Sequence, residues 1–226
     1  MSYGIIIKNC ADDVIIDGTN ANYAVLQAGV STNIIVDDIY YINIEHTPTV
    51  NPPVVAIRCI NSQIFCPTFG KRIKNAQGNF YQYRCRFGQV APPAYSYALM
   101  LPANEMSPLA NNYGIKIKNA ENNVIFNSSY RFMRIRSYNL ITVPSYNNGV
   151  YFTHPYIENP YYIVDGIFGT VSVPGSPYSY IYTLVLRNQS NTQGYLENTQ
   201  IGTVFGQISG GYLPSQVGVL VAELGN

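Results

Sequence analysis

A seven-residue segment occurs twice in this chain of 226 residues, and that repetition limits the folds open to it. Residues 3–9 read Tyr-Gly-Ile-Ile-Ile-Lys-Asn and residues 113–119 read Tyr-Gly-Ile-Lys-Ile-Lys-Asn, so six of seven positions agree at an offset of 110. At the same offset, residues 14–15 and 124–125 both read Val-Ile. The chain is therefore predicted to contain two copies of one structural unit.

The two histidines of the chain provide a second match in the same order. His46 and His154 each stand five residues before an Asn-Pro pair, at an offset of 108. Residues 102–112, which lie between the copies, have the composition of a linker. We therefore predict one unit at residues 1–111 and a second at residues 112–226.

The repeated segment also predicts local structure. In residues 115–118 isoleucine alternates with lysine, which is the period of a half-buried strand with both isoleucines toward the core. By the repeat, Ile5 and Ile7 are expected to face the core of the first copy, and Ile6 to face outward under another strand or subunit. A short polar turn and a Val-Ile strand follow in each copy, so each copy is predicted to open with a β-hairpin.

The rest of the chain consists of short apolar runs rich in β-branched and aromatic residues, separated by Pro, Gly and Asn. No run shows an amphipathic helical period with helix caps. This pattern is typical of an all-β fold. We predict two tandem β-sandwich-like units of similar fold.

Tyrosine is abundant, with 21 residues, and several tyrosines occupy alternate positions of one predicted strand. Alternate positions share a face, so these rings form apolar patches with polar tips. Ordinary sheet packing, a subunit interface and a ligand surface all fit such patches. The residues that the sequence nominates for an interface are Ile6, Tyr81, Tyr83, Tyr178, Tyr180 and Tyr182.

No set of residues predicts catalysis, so we expect a protein that is not an enzyme and has no cofactor. His46 and His154 occupy matching positions of the two copies, which favours a structural role for both. Carboxylates are scarce, and no phosphate-binding, hydrolase or metalloprotease motif is present.

The four cysteines lie in the first half, and their spacing matches no zinc pattern, so no metal site is predicted. Free thiols are the expectation. A disulfide among the last three cysteines and a metal site built from all four are the alternatives. The four are Cys10, Cys59, Cys66 and Cys85.

Charge is low and evenly spread, with 11% charged residues and a net charge of +1. This balance predicts no nucleic-acid partner. No stretch approaches the roughly 18 apolar residues of a membrane span, and the N-terminus lacks the pattern of a signal peptide. We expect a protein that is made and kept in a cytoplasm, or packaged from one.

The repeated opening resembles the start of a class of tailed-bacteriophage virion proteins. In that class a Tyr-Gly-(Leu/Ile)-x-(Val/Ile)-x-Asn segment precedes a turn and a Val-x-Phe-(Asp/Asn)-Ser segment, and many members carry both twice. Residues 3–17 and 113–128 match this pattern, and residues 51–57 are also similar, so the resemblance covers about a fifth of the chain. The first copy departs from it at Ile16, where the class prefers Phe.

The resemblance implies a non-enzymatic structural component of the virion, assembled in the host cytoplasm, whose partners are other virion proteins. A tail-tip, baseplate or fibre-associated position is the first expectation, and head decoration or capsid attachment is the alternative. The low charge and the outward Ile6 fit a homo-oligomer or a subunit ordered on a symmetric ring. A module that binds a receptor or a host-surface glycan is a further alternative, because arginines lie near tyrosines in strand-like segments.

Overall fold

The fold is all-β, as predicted. A computed structural model of the chain describes residues 7–8, 14–16, 23–59, 65–67, 71–88, 94–106, 115–145, 147–164, 168–172, 178–205 and 215–225. Within this part of the chain, no helix is long and apolar enough to cross a membrane.

The strands of the first half are β1 (Ile7–Lys8), β2 (Val14–Ile16), β3 (Tyr23–Val30), β4 (Thr32–Val36), β5 (Ile39–Thr49), β6 (Val54–Cys59), β7 (Phe65–Pro67), β8 (Lys71–Lys74), β9 (Phe80–Gly88) and β10 (Tyr95–Pro102), followed by a 3-10 turn at Ala103–Glu105. Those of the second half are β11 (Lys116–Lys118), β12 (Val124–Asn127), β13 (Met133–Thr142), β14 (Asn148–Thr153), β15 (Tyr161–Val164), β16 (Phe168–Ser172), β17 (Tyr178–Ser190), β18 (Gln193–Phe205) and β19 (Gln216–Leu224).

Six antiparallel strands form the central sheet in the order β3-β10-β6-β15-β19-β13. The first half supplies β3, β10 and β6, and the second half supplies the other three strands. The order is symmetric about the junction of β6 and β15, where Ile57 pairs with Tyr162. The two halves therefore share one sheet, which the prediction of two tandem sandwich units did not include.

The central sheet curls until its two edge strands meet. Ala24 of β3 forms a β-bridge with Phe132, and the Val25 N–H donates to the Arg131 carbonyl at 2.7 Å. Small and apolar side chains from all six strands fill the interior, as the narrow inside of a small barrel requires. They are Val25, Val54, Ala56, Ala98, Met100, Met133, Tyr161, Ile163, Ala222 and Leu224. The central sheet is thus a six-stranded barrel that closes at one corner.

Both edge strands carry a β-bulge at the same point of the repeat. β3 leaves Leu26 unpaired opposite β10, and β13 leaves Arg136 unpaired opposite β19. These two residues are 110 positions apart, which is the offset of the repeated segment. Because a bulge bends its strand, the two edges turn at equivalent places.

Two further sheets cover the outside of the barrel. A four-stranded sheet, in the order β4-β5-β9-β8, packs over the strands of the first half. A five-stranded assembly packs over those of the second half, with β14-β18-β17-β16 in order and β7 also paired to β17. The first core contains Ile42, Ile44, Ile57, Tyr83, Cys85, Tyr95, Tyr97 and Leu99. The second contains Ile141, Phe152, Ile157, Tyr162, Leu184, Leu186, Leu196, Val217, Val219 and Val221.

The two predicted hairpins are present, and a third hairpin has the same design. β1 pairs with β2, β11 with β12, and β8 with β9. In all three the pairing shifts register between an Ile and the Lys that follows it, namely Ile7/Lys8, Ile73/Lys74 and Ile117/Lys118. Residues 73–76 and 117–120 both read Ile-Lys-Asn-Ala, so the third hairpin was visible in the sequence.

The turns of the second and third hairpins share one hydrogen-bond pattern. The asparagine that opens each turn, Asn75 or Asn119, accepts the N–H four residues later through its Oδ1, at 3.0 and 2.8 Å. Three positions after that asparagine the backbone has positive φ, 83° at Gly78 and 67° at Asn122. Gly and Asn are the residues that adopt this conformation at least cost, which is why these sequences turn here.

The predicted faces of the β11 strand are partly wrong. Its two lysines are exposed and Ile117 is half-buried, but Ile115 is 66% exposed. Ile115 lies just before the strand, and both its N–H and its carbonyl bond to Ser128 instead of placing the side chain inward. The buried apolar residue of β12 is Ile125. The side chains of Ile5, Ile6 and Ile7 lie outside the described residues.

The boundary predicted between residues 111 and 112 also lies outside the described residues, so the division into two units stays a prediction. The symmetric strand order, the matching bulges and the matching hairpins are what a duplication would produce.

Candidate interaction surfaces

Of the five tyrosines predicted for an interface, one is buried, one is half-buried, and the side chains of the other three lie outside the described residues. Tyr83 is only 7% exposed and packs in the first core, so the prediction that it lies at an interface is wrong. It alternates with Gln82 and Arg84, and those are the residues of β9 that turn away from the barrel. Tyr81 is half-buried. Ile6 lies outside the described residues, and of Tyr178, Tyr180 and Tyr182 only the backbone, in β17, is described.

The two histidines have the same structural role in both halves. His46 is 9% exposed and His154 7%. In each, Nδ1 donates to the carbonyl of the next residue at 2.8 Å. His154 also places Nε2 3.4 Å from the Tyr162 hydroxyl. Each ring thus fixes the bend that leads to an Asn-Pro pair and then to a central barrel strand, β6 or β15.

The outer face of the four-stranded sheet carries a row of polar side chains. Arg84 donates to Gln82 at 3.2 Å, Gln82 donates to Asn43 at 2.6 Å, and Asn43 donates to Glu45 at 3.3 Å. The Arg84 guanidinium also lies 5.9 Å from the ring centre of Tyr41. Asn43 and Gln82 are almost fully buried, and their amides bond to each other. This row therefore stiffens the sheet face.

The outer face of the five-stranded assembly carries an aromatic platform. Tyr151 and Tyr195 are directly opposite on β14 and β18, with ring centres 4.6 Å apart. The tip of the Tyr195 ring lies over Gly149, where a Cβ would overlap it. Arg187 lies 5.9 Å from the Tyr195 ring centre and forms an ion pair with Glu197. Tyr151 remains 59% exposed, so the platform presents a ring face beside charged groups.

Among the described strands, β13 exposes the largest number of large apolar side chains. Ile135, Tyr138 and Leu140 are 47%, 62% and 57% exposed. β13 pairs with β19 along its length, and on its other side the described contact is the corner bridge to β3. Large exposed apolar side chains on a sheet edge are the feature that marks a docking strand.

Part of the backbone of β13 faces away from β19. The Val143 N–H donates to the Ser215 carbonyl at 2.9 Å, which fixes the alternation of the ladder with β19. Residues at every second position therefore bond to β19, while Tyr138, Leu140 and Thr142 direct their N–H and C=O groups away from β19, where no described strand pairs with them.

Cys85 lies buried in the first core. The side chains of Cys10, Cys59 and Cys66 lie outside the described residues. In the part of the chain that the structure describes, no three His, Cys, Asp or Glu side chains are grouped as metal ligands.

The platform and the β13 edge were missed in the sequence. Tyr151 stands alone in its strand, and its partner Tyr195 is 44 positions away, so no local pattern joins them.

Comparison of the chain with protein-family models, with curated proteins and with solved structures finds no match in any of the three.

Proposed function

We propose that this protein is a structural, non-enzymatic subunit of a tailed-phage virion, associated with the tail tip, baseplate or fibre. The observation that carries the structural role is the apolar edge of β13, which among the described residues has no strand partner opposite β19 beyond the corner bridge to β3. The particle itself is proposed from the repeated Tyr-Gly-Ile-x-Ile-Lys-Asn hairpin, which resembles the opening of virion proteins.

A contact-making role fits the physical properties of the chain. An exposed strand edge with large apolar side chains is a hazard for a protein that works alone, because unpaired backbone groups recruit other strands. A subunit held in an assembly covers such an edge. The low proportion of charged residues, 11%, also suits a surface that is largely covered by neighbours.

The test is the composition of purified particles. Phage carrying the gene is banded on a density gradient, and intact particles, isolated tails and isolated heads are analysed by quantitative mass spectrometry. The proposal expects the protein in particles and in the tail fraction, at a copy number that is a multiple of the tail symmetry. Recovery with heads alone would support head decoration instead, and absence from particles would refute the structural role.

A second candidate function, a glycan-binding module, is favoured by the aromatic platform. Sugars present C–H faces that stack on aromatic rings and hydroxyls that bond to charged and amide groups. Tyr151 offers an exposed ring, and the ion pair of Arg187 with Glu197 lies against the neighbouring Tyr195. This candidate is compatible with a tail position.

A glycan array of host-surface polysaccharides tests this candidate, with Tyr151→Ala as the variant. Loss of the ring is expected to weaken binding at least about tenfold, the effect of roughly 1.4 kcal/mol. Tyr156→Ala is the control, because Tyr156 is equally exposed, at 66%, but lies in the segment after β14. No array signal for the unaltered protein, or equal loss in both variants, would exclude the platform as a glycan site.

A further inference from the structure

We infer that the free edge of β13 pairs with the same edge of a second copy of this chain, in an antiparallel two-fold arrangement. The inference rests on the proposed structural function and names the surface and the partner. It joins two independent observations, the direction of the unpaired backbone groups and the exposure of the side chains on the same strand.

The chemistry of this edge fits a strand as its partner. Tyr138, Leu140 and Thr142 direct N–H and C=O groups outward at a two-residue spacing. An extended chain matches that spacing and satisfies every group in the row, which is the basis of recognition by strand addition. Tyr138 and Leu140, 62% and 57% exposed, then pack against the side chains of the added strand.

The charge pattern favours a second copy as the source of that strand. Residues 137–142 read Ser-Tyr-Asn-Leu-Ile-Thr and contain no charge, so antiparallel self-pairing places no like charges opposite each other. The arginines before this stretch, Arg134 and Arg136, are 3.0 and 3.5 Å from Glu223 of the same chain. A net charge of +1 gives two copies little mutual repulsion.

The equivalent edge in the first half is a weaker candidate and provides the control. Ala28 and Val30 of β3 hold the positions of Tyr138 and Leu140 at the offset of 110, and both are exposed. Val30 is 55% exposed, close to the 57% of Leu140. The apolar area is smaller, and the chain starts β4 at Thr32, so β3 offers a shorter edge.

Sedimentation equilibrium of the purified full chain tests the pairing. The unaltered protein is expected to have twice the chain mass of 25.1 kDa. Leu140→Lys places a charge on the free edge and is expected to weaken the dimer at least about tenfold. Val30→Lys makes the same change on β3 and is expected to leave the dimer unchanged. Thermal melting of both variants checks that the fold is retained.

Hydrogen exchange provides a second readout that does not depend on a substitution. The amides of Tyr138, Leu140 and Thr142 are expected to become protected as protein concentration rises, while the amides of Ala28 and Val30 do not. Protection that is independent of concentration would overturn the inference.

The failure of this inference differs from the failure of the proposed function. A chain that stays monomeric at all concentrations, or a dimer that survives Leu140→Lys but not Val30→Lys, overturns the pairing through β13. If that chain is still found in purified particles, the structural function stands. Conversely, a dimer that is absent from particles removes the proposed function and leaves the pairing intact.

Discussion

In the first half of the chain, β3 forms one edge of the barrel and has Ala28 and Val30 on its free side; in the second half, β13 forms the other edge and has Tyr138 and Leu140 there. The two strands share their bulge position and their place in the sheet. They differ in the size of the side chains that they expose.

The outer faces of the two flanking sheets also differ in the side chains that they carry. The first half covers its sheet with an internally bonded row of Asn43, Gln82 and Arg84. The second half presents the exposed Tyr151 beside Tyr195. The histidine bends and the barrel strands are alike in both halves, while the outward surfaces are not. This difference indicates that the shared elements maintain the fold, while the candidate surfaces on β13 and on the platform belong to the second half alone.

The largest expected effect comes from matched deletions in the two cores. Leu99 and Leu196 are both fully buried, the first in the core of the first half and the second in that of the second half. Changing either to Ala removes packed methyl groups and leaves a cavity, which should lower the free energy of unfolding by about 2–5 kcal/mol. Urea denaturation measures this loss. A cost under about 1 kcal/mol for either variant would show that its half is not tightly packed.

Substitution of one glycine in each half is expected to have a smaller effect on stability. A Cβ on Gly194 of β18 would overlap the ring of Phe152, which is 7% exposed and held in the second core. Gly194→Ala should therefore destabilise by about 1–3 kcal/mol. Gly29→Ala is the control, because its Cβ would lie 3.2 Å from the Tyr97 hydroxyl and the repeat has Asn139 there. Equal losses in urea denaturation would contradict this account of the Gly194 site.

The two histidines test whether the same local geometry makes the same contribution to the stability of each half. His46→Ala removes a bond to the backbone and should cost about 1 kcal/mol. His154→Ala should cost more, about 2 kcal/mol, because its ring also packs against Phe152 and Tyr162, at centre distances of 6.5 and 6.1 Å. Thermal melts of both variants measure the difference. A larger loss for His46 would mean that the bend of the first half depends on contacts other than this bond.

Local features of the fold were predictable and long-range ones were not. The Ile-Lys-Asn hairpins follow from residues that are adjacent in sequence, because their turns use asparagine bonds within five residues. The shared barrel depends on Ile57 meeting Tyr162, 105 positions apart, and no periodic pattern specifies that partner.

The sequence also did not predict which face of a strand is covered. Tyr83 was expected outside because tyrosine suits interfaces, but alternation alone does not show which face a second sheet will cover. On β9 the covered face is that of Tyr83 and Cys85, and the polar face is that of Gln82 and Arg84. The platform of Tyr151 and Tyr195 likewise required the pairing of β14 with β18 to be known.

Calorimetry of the whole chain shows whether both halves share one barrel. Because each half supplies three strands of the barrel, the chain should unfold in one transition whose calorimetric and van't Hoff enthalpies agree. Leu99→Ala and Leu196→Ala should both shift that single transition to lower temperature. Two separate transitions, each moved by only one of these variants, would contradict the shared barrel and show two independent units.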